Sequence, residues 1–336
     1  MSAASGKRGA RAAAAAAVLL LVLGSVFTTL RQRRNEPLEK SGFLLDTVIS
    51  VTVYGQRNAD ALESAYRLCE GYEELFSPTK ETSDVWRMNH RAPGENRYRP
   101  SADVLQVLRT GLEFSRLTDG AFDITVEPVS TLWDFKSGNP EIPDEALLKE
   151  AVSRVDWRKV SIEGDTVVFA DDSVQVDPGS VAKGYIADRI AEHLKAEGVT
   201  SAIINLGGNV LCVGEKPGGQ PFAIAVRKPE EQSAEVVKVL DIRDASVVTS
   251  GVYERHFVTG GVNYHHILDP KTGMPVRNGL LSLTIVGPSS LVCDALSTSC
   301  FALGEEKGAA LLDSMEDYCG YFIREDGTIR ATEGAQ

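Results

Sequence analysis

The sequence predicts an α+β fold with largely antiparallel sheet. Three observations lead there. Alternating runs and helix-spaced runs mix without a strand–helix–strand rhythm, which argues against a parallel sheet. No Pro/Gly/Ser-rich stretch divides residues 41–330 and no internal repeat occurs, so this span reads as one folded unit. The 336 residues, 43% hydrophobic and 24% charged, can bury an ample core. That composition excludes a disordered chain, a collagen and a polytopic membrane protein.

Residues 1–11 are a short basic tail. From Ala12 to Leu30 no residue is charged, and the centre reads AVLLLVLGSVF. A bilayer core of about 30 Å takes roughly 20 apolar helical residues, so the run suffices as a transmembrane signal anchor. A cleaved signal peptide is the competing reading. RQRR follows the run, with no clear A-x-A site and no lipoprotein cysteine, which favours the uncleaved anchor. Residues 31–40 read as a linker and 331–336 as a C-terminal tail. The net charge is −12, although residues 1–34 hold six cations and no acid. So acidic a body is a poor match for non-specific nucleic-acid binding.

Within the body, Thr47–Gly55 alternates, with Ile49, Val51 and Val53 on one face of a strand. Asn58 is expected to cap a helix marked by Leu62, Tyr66, Cys69, Tyr72 and Phe76. Ser101 starts another, carrying Val104, Leu105, Leu108, Leu112 and Phe114 and ending near Gly120. A short helix spans residues 144–154. Three β-rich runs lie between Val160 and Val176. A helix runs from Ser180 to Glu197 and stops at Gly198. Strands are expected at 202–205, 222–226, 236–242, 246–249, 265–268 and 281–286, then helices at 289–303 and 305–315. Five scattered cysteines include no C-x-x-C pair, which fits buried small hydrophobes better than zinc or disulfides.

Several segments can carry chemistry. Gly179–Gly184 opens a helix after a strand. Its free N–H groups, with Lys183, suit a pyrophosphate, although an ordinary capped helix start reads the same way. Asn205-Leu206-Gly207-Gly208-Asn209 is either a plain β-turn or a close backbone approach to a ligand. Tyr264–Gly273 is the densest polar cluster. Its neighbouring His265 and His266 point to opposite faces if the strand is regular. Asp294 and Thr298 share a helix face and offer hard oxygens for Mg²⁺, or form a surface pair. The aromatic residues of 122–135 can cover a planar ring or fill core.

In this order, the segments resemble the ApbE family of FAD:protein FMN transferases. The carriers are Phe76-Ser77, Ser83, Arg87-Met88-Asn89, Asp119–Val126 and Leu132-Trp133. Asp177–Tyr185, Asn205–Gly208, Thr249-Ser250-Gly251, His266–Gly273 and Asp294–Thr298 complete the series. The likeness spans about residues 43–323. It implies an ApbE-like, T-fold-like body of two lobes that binds FAD and Mg²⁺. Such a body transfers FMN to a Thr or Ser hydroxyl of an acceptor flavoprotein through a phosphoester, releasing AMP. By the same resemblance, Asp294, Thr298 and the loop at Ser180 hold the metal. Leu45, Thr79, Ala121, Phe122, Asp123, Asp177, Lys183 and Leu268 meet FAD. His266 serves activity, and His266 or Asp269 accepts the hydroxyl proton. Leu45, Asp46 and Thr79 replace residues more usual in the family. Implied partners are a membrane electron-transport subunit or an extracytoplasmic flavoprotein, with the catalytic body outside a bacterial cell membrane. FAD hydrolysis to FMN and AMP, non-catalytic FAD binding and a redox flavoprotein are the alternatives.

Overall fold

The structure is a computed structural model that describes residues 36–55, 58–135, 140–228 and 235–335. The expected anchor at 12–30 and the start of the linker lie outside the described residues. Among those described, no helix is long and apolar enough to cross a membrane.

The chain opens with a hairpin of β1 (Pro37–Leu44) and β2 (Thr47–Tyr54). The expected linker at 31–40 is thus corrected: from Pro37 it is an edge strand. Its two-residue turn is Leu45-Asp46, both left-handed, with φ of 55° and 58°. Helices α1 (Ala59–Phe76), α2 (Asp84–Asn89) and α3 (Ala102–Leu117) follow, with the short strand β3 (Arg97–Tyr98) before α3. Ser83 and Ser101 cap α2 and α3 by accepting the N–H of Trp86 and Val104. Asn58 does not cap α1 with its side chain, because its amide donates back to the Tyr54 carbonyl at 2.9 Å. Then come α4 (Glu127–Ser130), α5 (Glu145–Val152), β4 (Val160–Glu163) and β5 (Thr166–Phe169). The third run expected before Val176 forms no strand. The Asn89 side chain accepts the N–H of Val176 and donates to its carbonyl, both at 2.8 Å, in place of a sheet partner.

Helix α6 (Gly179–Ala196) leads into β6 (Ser201–Leu206), β7 (Asn209–Gly214), β8 (Phe222–Arg227), β9 (Val236–Ile242) and β10 (Ser246–Gly251). A small hairpin of β11 (His256–Thr259) and β12 (Val262–His265) precedes β13 (Leu280–Gly287). Helices α7 (Ser290–Leu303) and α8 (Glu305–Asp313) and strands β14 (Cys319–Arg324) and β15 (Ile329–Ala331) close the body. The strand expected at 265–268 ends at His265, and Leu268 makes only an isolated bridge to Pro275.

Eight strands form the main sheet in the order β1-β2-β6-β7-β10-β13-β14-β15, every neighbouring pair antiparallel. Alternation divides its faces. Ile49, Val51, Leu211, Val248 and Phe322 enter the core shared with α1, α6 and α7. Cys212, Val247, Tyr321 and Ile323 face the other way and pack against Phe222, Leu240 and Ile242 of the β8–β9 ribbon. A third cluster, with Trp133, Leu148, Phe257 and Leu268, joins α4 and α5 to the β11–β12 hairpin. All five cysteines are free, and four are buried.

Candidate active site

One end of the main sheet collects the turns that matter. Strands β2 and β6 pair Ile49 with Leu206, so the Leu45-Asp46 and Gly207-Gly208 turns lie side by side. Strand β10 pairs Val248 with Asn209, which sends Thr249-Ser250-Gly251 toward the same end. Both glycines have positive φ, 64° and 91°. A Cβ at Gly207 would stand 2.3 Å from Thr47 Oγ1, so only glycine permits this contact.

Helices α6 and α7 run antiparallel beside that end, and their register follows from three contacts. Asp188 accepts from Ser289 Oγ and from the Ser290 and Leu291 N–H groups at 2.9–3.0 Å. One turn earlier on α6, the Gly184 N–H donates to Asp294 Oδ2 at 2.8 Å. A Cβ at Gly184 would lie 2.2 Å from the Ser290 carbonyl oxygen. Each step back along α6 therefore meets a step forward along α7. Ser180 lies one further turn back on α6, and Thr298 one further turn on along α7. Thr298 Oγ1 also lies 3.4 Å from Ser250 Oγ, which hydrogen-bonds Ser297 Oγ at 2.8 Å.

Asp294 is buried, and desolvation pushes its carboxyl up, while the nearby Lys183 ammonium and the Gly184 N–H pull it down. A buried carboxylate with two hydroxyl residues is a hard-oxygen donor set, and such a set fits Mg²⁺. It is not a His/Cys/carboxylate cluster, and no group of three such side chains occurs among the described residues. Asp177 ties the start of α6 to α4, accepting from Gly179 N–H at 2.8 Å and Ser130 Oγ at 3.0 Å. Lys183 Nζ donates to Gly179 O at 3.3 Å, which keeps the cation over the first turn of α6.

The other predicted residues divide. The Leu45 N–H donates to Glu73 Oε1 at 2.9 Å, and Glu73 Oε2 pairs with Lys80 at 3.1 Å. Ser77 Oγ accepts from the Lys80 N–H and, beside it, from that of Thr79. Leu45 and Thr79 thus belong to one connected rim. Phe122 is core, and Asp123 is spent locally. The Asp123 carboxylate accepts from the Thr125 N–H and hydroxyl and from Trp157 N–H. Side chains so engaged leave mainly the backbone of 121–123 to meet a ligand.

His265 is 3% exposed, packs edge-on to Phe301 and donates from Nε2 to the Val276 carbonyl at 3.0 Å. Burial lowers it to about 4, so it is a neutral core residue. His266 is half-buried, and its Nδ1 has no hydrogen-bond partner among the described residues. Burial first, then Arg255 and Lys183, push it down to about 3, which leaves a neutral imidazole at physiological pH. Asp269 accepts from Lys271 N–H and Thr272 Oγ1, so both carboxylate oxygens hold the Asp-Pro-Lys-Thr-Gly turn. Trp133 Nε1 donates to the Gly273 carbonyl at 2.8 Å and pins that turn to the body.

The ApbE family profile matches residues 45–322. This chain belongs to the ApbE family. A Treponema pallidum protein named FAD:protein FMN transferase is 34% identical over 314 residues, covering 88% of this chain and 86% of its own. A Klebsiella pneumoniae protein of the same name is 33% identical, covering 88% and 92%. The solved ApbE protein of Thermotoga maritima superposes with a TM-score of 0.80 at 31% identity, over 89% of this chain and 97% of its own. The flavin transferase ApbE of Vibrio cholerae gives 0.79 at 27% identity, over 89% and 98%.

Asn209, Ser250 and Ser297 fall within segments the sequence singles out, whereas Glu254 was missed. Glu254-Arg255 lies three residues past Gly251, and an ion-rich pair between two strands was the available signal.

Proposed function

We propose that this protein is an FAD:protein FMN transferase. It moves FMN from FAD to a Thr or Ser hydroxyl of an acceptor flavoprotein, forms a phosphoester and releases AMP, with Mg²⁺ required. The observation that supports this reading is the α6–α7 contact, in which the Gly184 N–H donates to the buried Asp294 with Lys183 nearby. Ser180, Asp294 and Thr298 would hold the metal. When bound there, Mg²⁺ supplies charge neutralisation at the pyrophosphate and polarises phosphorus. Lys183 adds a fixed cation for the phosphates at the helix start. The Leu45–Thr79 rim and the 121–123 and Leu268 backbone would line FAD, while Asp177 holds the first turn of α6 in place. Phosphoryl transfer depends mainly on alignment and charge, which these rigid elements provide. His266, neutral and unpartnered at Nδ1, orients the incoming hydroxyl. Asp269 keeps the loop in shape.

We also infer that residues 12–30 anchor the chain and that the catalytic body works outside the cytoplasm. The uncharged run and the absence of a clear cleavage site support this.

The direct test combines the full chain with FAD, Mg²⁺ and a membrane electron-transport flavoprotein subunit. The acceptor should gain one FMN less one water by mass, with one AMP released per transfer, and chelation should stop both. AMP release without a mass gain would instead support FAD hydrolysis. Binding of FAD without AMP release would support a storage protein.

A further inference from the structure

The carboxylates of the site segments are not equivalent. Asp177, Asp269 and Asp294 each accept hydrogen bonds from neighbouring backbone N–H groups. Glu254 does not. It sits on the bend between β10 and β11, and among the described residues its carboxylate makes neither a hydrogen bond nor an ion pair. Its surface is open to solvent, yet protein surrounds it. A Cβ at Gly208 would stand 3.4 Å from Glu254 Oε1, so the glycine turn forms one wall. The charged groups facing it are Lys183 from α6, Asp294 from α7 and Arg255 on its own bend, where Tyr253 also lies. The Arg255 carbonyl accepts the His266 N–H at 3.0 Å, which ties this bend to the histidine.

Resting on the transfer reading above, we propose that Glu254 is the proton acceptor of the reaction. The acceptor oxygen bonds to the FMN phosphorus, the pyrophosphate P–O bond breaks, and its electron pair leaves with AMP. The hydroxyl proton passes to the Glu254 carboxylate and from there to solvent. A base in this place must have free oxygens and a path to water. Glu254 meets both conditions: its oxygens are unengaged and it reaches solvent, against the Gly208 turn and facing Lys183.

The test uses the full chain with FAD, Mg²⁺ and the acceptor subunit, following AMP release and acceptor mass across pH. Glu254→Gln should bind FAD as the wild type does, by flavin fluorescence titration, and keep its melting temperature. Its single-turnover rate should fall at least about a hundredfold, and the acid limb of its rate–pH profile should vanish. Glu254→Asp should recover part of the rate and keep the limb. His266→Ala should be slower and still keep the limb. A Glu254→Gln protein with the wild-type rate, or a slow one whose acid limb persists, overturns the assignment. A wild-type protein that releases no AMP at all fails the transferase reading itself, a separate result.

Discussion

His265 and His266 are adjacent in sequence, and the proposed function gives them opposite roles, which makes them a sharp test of the site. His265 fills core against Phe301 and satisfies the Val276 carbonyl. His265→Ala should therefore cost about 2–4 kcal/mol of stability, measured by urea unfolding, from the cavity and the orphaned carbonyl. Any loss of rate should be no more than the unfolded fraction explains. His266→Ala should leave stability nearly unchanged and lower kcat and kcat/KM together, by on the order of a hundredfold, with FAD affinity intact. The reverse pattern would mean that the backbone after β12 turns the other way. Asp294 needs a gentler substitution, because it also satisfies the Gly184 N–H. Alanine would leave that buried donor unpaired at about 1–3 kcal/mol, confusing stability with chemistry. Asp294→Asn keeps an acceptor oxygen and removes the charge. It should fold normally by circular dichroism while Mg²⁺-dependent AMP release falls by several orders of magnitude.

At the scale of elements, long periodic segments were legible and short or irregular ones were not. Helices α1, α3 and α6 and strand β2 lie close to where their patterns put them, because each buries one face and leaves the other wet. Strand β1 escaped notice because it is an edge strand, alternating only between exposed and half-buried residues in a polar run. The site segments were readable as local motifs, but their meeting depends on tertiary facts. The most important is Gly184, read in sequence only as the end of the Gly179–Gly184 segment, which lets α6 touch α7. Gly184→Val should push the helices apart, lower stability by about 1–3 kcal/mol and weaken Mg²⁺ activation, read as a higher half-saturating Mg²⁺ concentration. Far from the site, Glu305 at the start of α8 binds Arg324 and Arg330 at 2.5–3.1 Å. The Arg324 guanidinium foremost, with Arg330, holds its carboxyl down to about 2. A lowered folded-state value adds stability above the ordinary Glu range, and that stability is lost as pH falls toward about 2. With solvent screening, the contribution is at most about 1 kcal/mol. Wild type and Glu305→Gln should thus differ in melting temperature near neutral pH and converge in strong acid.

For the whole molecule, the decisive question is where the folded body stands relative to a membrane. The body is self-contained: the eight-stranded sheet is covered by helices on one face and by the β8–β9 ribbon on the other. Its described residues supply no helix able to span a bilayer. The proposed attachment therefore rests on the uncharged run at 12–30, which is joined to the edge strand β1 through six residues, 31–36. An anchor of that kind predicts two separable behaviours. Full-length protein should sediment with membranes, resist high salt and carbonate, and be released only by detergent. Its intact mass after extraction should include residues 12–30. A chain beginning at residue 36 should be soluble and release AMP from FAD as fast as the full chain, because every proposed catalytic group lies beyond Leu44. A mature N-terminus after Leu30 would replace the anchor with a cleaved signal peptide while leaving the extracytoplasmic placement standing. Loss of AMP release from the shortened chain, with its fold intact, would instead mean that the N-terminal segment takes part in the site.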